Sequence, residues 1–493
     1  MISLRPHQEE AIQMLRQSLR MGNKRPILAA PCSFGKTRVA AYLCNEAAKK
    51  GKRVIFICDR IKLITQSLES FHELGLKFGV MQGQHELTNY SAPIQIASTQ
   101  TLARRQRIPE FDLAIVDECQ THYASLTKIM NVYNNVPFIG LSATPYSKGL
   151  GKHYDDLIVP ITPRQLLDQN YLCPVDYYGG RNVNLKGVKT KQLSTGGSDY
   201  DPKSLAVATE EDKGLVGDIV KNWIEHGENG QTIAFAPSIK HSKHLVETFN
   251  NAGISSEHID GYMDGFERDI IYAAHTRGEF KILSCSRLLN TGYDEPTVSC
   301  LIDCFPTKSL ITFVQRAGRI MRTSEGKDKA IYLDHAGNVA RHGFAEDVVP
   351  DELDDGEQRF NEKQLTKDKK EAKVKECPQC TQQMVGLRCK CGYEIPIKEQ
   401  LESTDEILTK LSPEQRNRKH TKENKSVFYS ELLLYSRTKG YKDGGWASHK
   451  YKERYGVWPN AIKPQMLANG ISDETKKYIT STQIRYSKRS NAA

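Results

Sequence analysis

No stretch of the 493 residues approaches 18 consecutive apolar positions, the length a membrane-spanning helix needs. The opening MISLRPHQEE lacks the apolar core of a secretion signal, so the chain is expected to stay in the cytoplasm of a prokaryotic or phage-infected cell, with no membrane partner. No repeat of fixed short period is present, which excludes a solenoid or a propeller. The C-terminal part has no cluster of carboxylates in a metal-binding pattern, so nothing there points to a fused nuclease. Cysteine is not scarce at 12 residues, but eight are scattered, mostly in apolar runs as buried reduced thiols usually are. The other four stand within fifteen residues, at 377, 380, 389 and 391.

What is present is unevenly charged. The net charge is +10, yet residues 361–493 hold 27 Lys+Arg against 16 Asp+Glu, which leaves residues 1–360 near neutral. A concentrated positive field favours a polyanionic partner. Apolar runs at 26–30, 53–58, 94–97, 113–116 and 137–143 are too short for helices and lack polar alternation. They read as strands covered on both faces, separated by helical segments, and the pattern returns at 232–236, 282–286, 300–304 and 330–334. The fold class is therefore α/β, with lobes over 1–160 and 161–342. Residues 179–200, rich in Gly, Lys, Ser and Thr, read as an insertion in the second lobe. A charged linker is expected over 343–371, where seven acidic residues at 346–357 give way to a Lys-rich run.

Between the first strand and its helix stands Ala30-Pro31-Cys32-Ser33-Phe34-Gly35-Lys36-Thr37. A strand-to-helix turn aims backbone N–H groups and the positive helix end at phosphate oxygens. Lys36 would neutralise the β- and γ-phosphates, and the Thr37 hydroxyl would ligate Mg²⁺, with Ser33 and Gly35 shaping the loop. At a later strand end, Asp117-Glu118 places adjacent carboxylates where they are costly unless a cation or proton offsets them. Asp117 fits a Mg²⁺ ligand and Glu118 the group that activates the attacking water. The order matches that of a P-loop ATPase.

Together these segments resemble a superfamily 2 helicase, of DEAD/DEAH-like type, with two tandem RecA-like lobes. Ser142-Ala143-Thr144-Pro145 matches the motif that links ATP state to the nucleic-acid groove. Leu288–Asp294 matches the family's motif V, which implies a phosphate-backbone contact for Thr291 and nucleotide contacts for Gly292 and Asp294. Gln315–Arg322 matches motif VI, which implies a catalytic part for Gln315 and arginine fingers at Arg319 and Arg322. Arg5 and Gln8 resemble the adenine-reading element. The segment around Arg60 and the run Ser98-Thr99-Gln100 match nucleic-acid-gripping motifs, and small hydroxyl groups there suit phosphates rather than bases.

Cys377, Cys380, Cys389 and Cys391 fit a structural Zn²⁺ site of the zinc-ribbon kind over 372–397. After a linker at 398–425, residues 426–493 read as a small, mainly helical basic domain. Its aromatics interleave with Lys and Arg, and at least half of them are expected in its core. The order of parts, with Leu333–Asn338 just after motif VI, is similar to the RadD-type DNA repair ATPases. That resemblance implies an ATP-dependent translocase or helicase on single-stranded or branched DNA, active in repair, recombination or replication and largely indifferent to sequence. Cofactors would be ATP, Mg²⁺ and Zn²⁺. An RNA helicase and a non-catalytic nucleic-acid-binding scaffold are the alternatives, and the tail is open to a protein partner.

Overall fold

The computed structural model describes residues 3–58, 71–81, 85–105, 108–179, 185, 187–193, 197–210, 214–286, 288–290, 293, 295–356, 375–376, 383–384, 408–411, 422–439, 441 and 445–455, and, within 459–479, residues 459, 462, 464–465, 470–472, 475–476 and 478–479. It divides into two compact units, residues 1–356 with 406–426, and residues 357–405 with 427–493.

The first lobe is a seven-stranded parallel sheet of β1 (Pro26–Ala29), β2 (Val54–Cys58), β3 (Phe78–Met81), β4 (Ile94–Ser98), β5 (Leu113–Asp117), β6 (Phe138–Ser142) and β7 (Asp156–Ile158), in the order β3-β4-β2-β5-β6-β1-β7. Strands β1, β2, β4 and β6 are buried along their whole length, which is why their sequences do not alternate. The helix Pro6–Arg20 buries His7, Ala11, Ile12, Leu15 and Ser18, one face of a 3.6-residue repeat. The helix Lys36–Lys49 ends before Gly51, whose φ of +71° is the left-handed stop that a glycine supplies cheaply.

The second lobe begins with β8 (Val175–Gly179). A small antiparallel hairpin, β9 (Thr190–Gln192) with β10 (Ser198–Tyr200), follows inside the segment expected as an insertion. Then come β11 (Thr232–Phe235), β12 (Ser256–Ile259), β13 (Ile282–Cys285), β14 (Cys300–Asp303) and β15 (Ala330–Asp334). Two-residue strands β16 (Lys375–Glu376) and β17 (Gln383–Met384) pair antiparallel in the second unit. Strand β18 (Thr409–Lys410) returns to the first unit, antiparallel to β8, and completes the sheet β12-β13-β11-β14-β15-β8-β18.

Two expected linkers are corrected by this packing. Residues 343–356 are not a free connector. Phe344, Ala345, Glu346 and Val348 are buried; Tyr177 on β8 donates to Glu346 at 2.8 Å, and Arg164 reaches Asp347 at 2.7 Å. Further along, the Tyr146 hydroxyl lies 3.4 Å from the Val348 carbonyl, and Gly149 and Gly151 donate to the side chain and carbonyl of Asp354 at 2.9 and 2.8 Å. Glu346, Asp347 and Asp354, expected in a charged linker, thus serve as hydrogen-bond and ion-pair partners of segments in both lobes. Within 398–425, Leu408 is buried and held by Asn222 at 2.7 Å, ahead of β18.

In the second unit the helix Lys422–Thr438, from residue 427, and the helix Gly445–Tyr455 bury Phe428, Leu432, Ala447 and Tyr451 with Ile462 and Ile479. Glu431 is buried among them and accepts from Ser472 through backbone and hydroxyl at 2.9 and 3.0 Å. Among the described residues no helix is long and apolar enough to cross a membrane.

Candidate active site and nucleic-acid face

Parallel pairing brings three loops to one edge of the first sheet. Ala29 stands in register with Ser142 and Asp117 with Leu141, so the segments after β1, β5 and β6 emerge side by side. The phosphate-loop candidate turns through Ser33 at φ +61° and Gly35 at φ +85° before the helix Lys36–Lys49. A non-glycine residue in the left-handed region stores about 1–3 kcal/mol, and such strain is kept where the surroundings fix it. Here the fixing comes from behind. Gln8 donates through Nε2 to the Phe34 carbonyl at 2.7 Å, and Arg5 through Nη1 to the Ser33 carbonyl at 3.2 Å. A Cβ on Gly35 would fall 2.4 Å from Gln8 Nε2, so residue 35 needs glycine for its conformation and for this contact.

The same geometry alters the expected part of Gln8. Its Oε1 accepts from the Arg5 backbone at 2.9 Å while Nε2 serves the loop, and the side chain is buried. Gln8 therefore braces the phosphate loop, and its amide is largely committed before any base arrives. The Arg5 guanidinium lies over the Tyr171 ring at 4.6 Å, and His7 packs on Phe34 and Tyr171. Tyr171 was not singled out in the sequence because a lone tyrosine between lobes carries no pattern.

Glu118 follows β5 at φ +49°, a second strained residue, and ion-pairs with Lys36; their side chains are 20% and 23% exposed. Burial pulls the Lys36 ammonium down, but the Glu118 and Asp117 carboxylates outweigh it and hold it above its ordinary value. Burial pushes Glu118 up; the Lys36 charge and hydrogen bond, helped by Gln120 and Arg319, win and hold it ionised. Thr37 and Asp117 are half-buried beside this pair in sequence and could hold a divalent cation with the phosphates. From Glu118 a polar chain runs inward. Gln120 donates to Glu118 Oε2 at 2.5 Å, Ser142 donates to Gln120 Oε1 at 2.5 Å, and Thr144 N donates to Ser142 Oγ at 3.0 Å. Gln120 is the functional residue that sequence reasoning passed over; its only signal was its place after Asp117-Glu118-Cys119.

The second lobe meets this edge through the helix Leu310–Ile320, capped by Ser309. The Cys32 thiol donates to the Gly318 carbonyl at 3.0 Å, and a Cβ on Gly318 would sit 3.3 Å from Cys32 Cβ. Gly318 thus lets the helix rest on the phosphate loop, with Arg319 next in line. Arg319 Nη1 is held by the Tyr293 carbonyl at 2.5 Å; burial pulls its guanidinium down, and it lies within electrostatic reach of Glu118. Gln315 and Arg322 are half-buried, and the Arg322 carbonyl accepts from Lys327 at 2.8 Å. Arg316, between them in sequence, has a different part: it is buried, paired with Asp303 at 3.0 Å and bonded to the Phe305 carbonyl at 2.8 Å. Leu333–Asn338 explains itself here. Asp334 accepts from Ala336, Asn338 and Val339 backbones at 3.1, 3.0 and 2.7 Å, and the Asn338 amide donates to Asp303 at 2.9 Å.

The expected nucleic-acid contacts fare unevenly. Ser98 and Thr99 end β4 and are buried. The Ser98 hydroxyl accepts from Thr101 N at 3.1 Å and the Thr99 hydroxyl donates to the Cys58 carbonyl at 3.2 Å, so both are engaged as internal caps; only Gln100 of the three is exposed. Arg60, Thr291, Gly292 and Asp294 lie outside the described residues, as do Cys377, Cys380, Cys389 and Cys391. Among the described residues no group of three or more metal-ligating side chains comes together.

Residues 1–147 match the family model "Type III restriction enzyme, res subunit", and residues 216–324 match "Helicase conserved C-terminal domain". A "51.5 kDa protein" of a Lactococcus phage is 30% identical over 389 residues, covering 76% of this chain and 79% of its own. The "Putative ATP-dependent helicase IRC3" of Saccharomyces cerevisiae is 24% identical over 363 residues, covering 68% of this chain; the match spans 51% of the yeast protein, about half its length. Among solved structures, the ATP-dependent Type ISP restriction-modification enzyme LlaBIII bound to DNA matches with a TM-score of 0.51 at 20% identity, over 67% of this chain and 27% of that one, a likeness of fold.

Proposed function

Because this chain belongs to the superfamily 2 helicases and is an ATP-hydrolysing enzyme of that family, we propose that it is a DNA-stimulated translocase whose two lobes close over ATP and step along one strand. The observation that carries this reading is the continuous path Lys36–Glu118–Gln120–Ser142–Thr144 on one lobe, with Gly318 of the other lobe seated on Cys32 beside it. Without nucleotide, Lys36 and Glu118 satisfy each other. Phosphate oxygens offer Lys36 a stronger partner, which frees the Glu118 carboxylate to take a proton from the attacking water. Gln120 registers that change and passes it to Ser142 and Thr144, the segment assigned to the nucleic-acid groove. Arg319 and Arg322 then act as fingers on the γ-phosphate. Thr37 and Asp117 would hold Mg²⁺, which when bound would neutralise charge on the phosphates.

DNA is favoured as the track over RNA. The match to a restriction-enzyme subunit and the DNA-bound structural relative support that choice, and phosphate gripping makes the contact indifferent to sequence. Cys377, Cys380, Cys389 and Cys391 are proposed to hold a structural zinc, with the first pair falling in the chain between β16 and β17. Four thiolates leave no open position, so this metal would support a fold and take no part in hydrolysis. The ribbon and Leu333–Asn338 carry the likeness to RadD-type enzymes, and with it a role in DNA repair, recombination or replication.

The test is ATP hydrolysis by the purified chain without nucleic acid and with single-stranded DNA, duplex DNA, forked DNA or RNA. Stimulation by DNA, abolished in Lys36→Ala, is expected. Stimulation by RNA alone would reassign the track, and no hydrolysis on any substrate would remove the motor reading.

A further inference from the structure

The basic tail holds two kinds of aromatic residue. Phe428, Tyr451 and Tyr478 point inward: Tyr429 meets Tyr451 edge-on at 5.5 Å, Phe428 meets Tyr478 at 5.4 Å, and the Arg454 guanidinium covers Phe428 at 4.3 Å. Tyr435, Trp446 and Tyr441 instead form a stack. Trp446 lies 5.3 Å from Tyr435 and 5.3 Å from Tyr441, the latter nearly parallel at 14°, and the outer ring, Tyr441, is 43% exposed. The turn that places it is built: Lys439 N donates to the Tyr435 carbonyl at 3.1 Å and Tyr441 N to the Ser436 carbonyl at 3.0 Å.

The charge of this segment is mostly of one sign. Residues 427–493 carry 12 Lys+Arg against 5 Asp+Glu. Arg437 and Lys439 are exposed, with Lys439 one turn beyond Tyr435, on the face that bears the stack. Glu431, on the same helix, is turned inward and engaged by Ser472 and Thr475. A partly exposed planar ring beside exposed cations is what a single-stranded polyanion with planar bases requires.

We propose that Tyr441, backed by Trp446 and Tyr435, is the base-stacking platform of a second single-stranded-DNA site, separate from the phosphate-gripping segments of the lobes. This rests on the reading of the chain as a DNA motor and adds to it a foothold that persists while the lobes open. On that reading the lobes hold the strand when ATP closes them and loosen as they open. A site in another unit, without a nucleotide of its own, keeps the strand near between cycles.

The experiment measures binding of a labelled oligo-dT strand to the full-length protein by fluorescence anisotropy across salt concentrations, with DNA-stimulated ATP hydrolysis in parallel. Tyr441→Ala is expected to weaken binding between about fivefold and 150-fold, the stacking energy of one base converted at tenfold per 1.4 kcal/mol. Tyr441→Phe, which keeps the ring, should bind like the natural protein. Lys439→Glu should lower the slope of log affinity against log salt by about 0.7 for the phosphate contact removed. All three should hydrolyse ATP at the natural maximal rate once DNA is saturating. Unchanged affinity and salt slope in Tyr441→Ala and Lys439→Glu, with hydrolysis still DNA-stimulated, would overturn the proposal and turn the stack over to a protein partner. Loss of binding in Tyr441→Phe as well would also overturn it, since the ring's role would then be structural. If DNA binds but does not stimulate hydrolysis in the natural protein, the motor reading fails, and the Tyr441 series still decides the tail.

Discussion

The two lobes share a sheet and differ in what they do with the charge at its edge. Strands β5 and β14 occupy the same fourth place in their sheets, and each ends in aspartate, Asp117 or Asp303. In the first lobe the charges stay within reach of solvent: Lys36 and Glu118 are a fifth exposed, and phosphate, an anion, can take the place of Glu118 as the partner of Lys36. In the second lobe Asp303 is sealed. Arg316, the Tyr332 hydroxyl at 2.5 Å and the Asn338 amide fill its oxygens, and the Asp303 and Arg316 side chains are 0% and 1% exposed. An acidic strand end is thus neither catalytic nor structural by itself; the partners supplied by neighbouring helices decide. One lobe keeps its charges available and the other uses them to hold the helix that delivers Arg319.

That contrast can be broken most sharply at the finger. Arg319→Ala should lower DNA-stimulated hydrolysis by about 10³–10⁵-fold, while its neighbour Arg316 should act through stability. Steady-state ATPase assays check it, and a mild effect of Arg319→Ala would remove the finger assignment. Next comes the sealed pair. Asp303→Ala leaves Arg316 buried without its carboxylate and should cost about 3–5 kcal/mol in urea unfolding. Glu118→Gln, in the open pair, should cost distinctly less stability and far more activity. Equal losses would mean that the lobes are not divided in this way.

The smallest effect concerns a property that the lobes share. Each holds one histidine that burial lowers to about 4, His122 in the first and His275 in the second. Their folded pKa lies below the unfolded value, so between about pH 6.5 and 4 the unfolded chain binds protons that the folded chain does not. Stability from these groups is therefore complete above pH 6.5 and drains away as the pH falls toward 4. At pH 5, unfolding should take up about one proton for each, and His275→Gln should remove one of them, as buffer-dependent calorimetry reads.

Much of this was legible beforehand, for a physical reason in each case. Strands β1, β2, β4, β5 and β6 announced themselves because burial on both faces makes them short, mostly apolar runs without polar alternation. Strands β3, β7, β8 and β12 did not: β12 reads Ser-Glu-His-Ile, and β7 is three residues long. The phosphate loop and Asp117-Glu118 were readable because phosphate and metal chemistry permits few residue types. Gln120 was not, since its part depends on a hydroxyl 22 residues away. Arg316 and Arg319 lie one turn apart on the same helix and differ in their partners, Asp303 and the Phe305 carbonyl for the first and the Tyr293 carbonyl for the second. Ser98 and Thr99 were read as outward contacts because a hydroxyl looks the same in sequence whether it caps a helix or grips a phosphate.

In the proposed opening and closing of the lobes, residues 343–356 would be the segment that ties one lobe to the other. Anchored to the first lobe through Tyr146, Gly149 and Gly151 and to the second through Tyr177, they form a belt of fixed contour across the joint. Each anchor is a hydrogen bond of about 1 kcal/mol, far less than hydrolysis of one ATP provides. The belt therefore does not forbid wide rotation. In the proposed cycle, rotation of one lobe against the other would have to break these anchors one at a time.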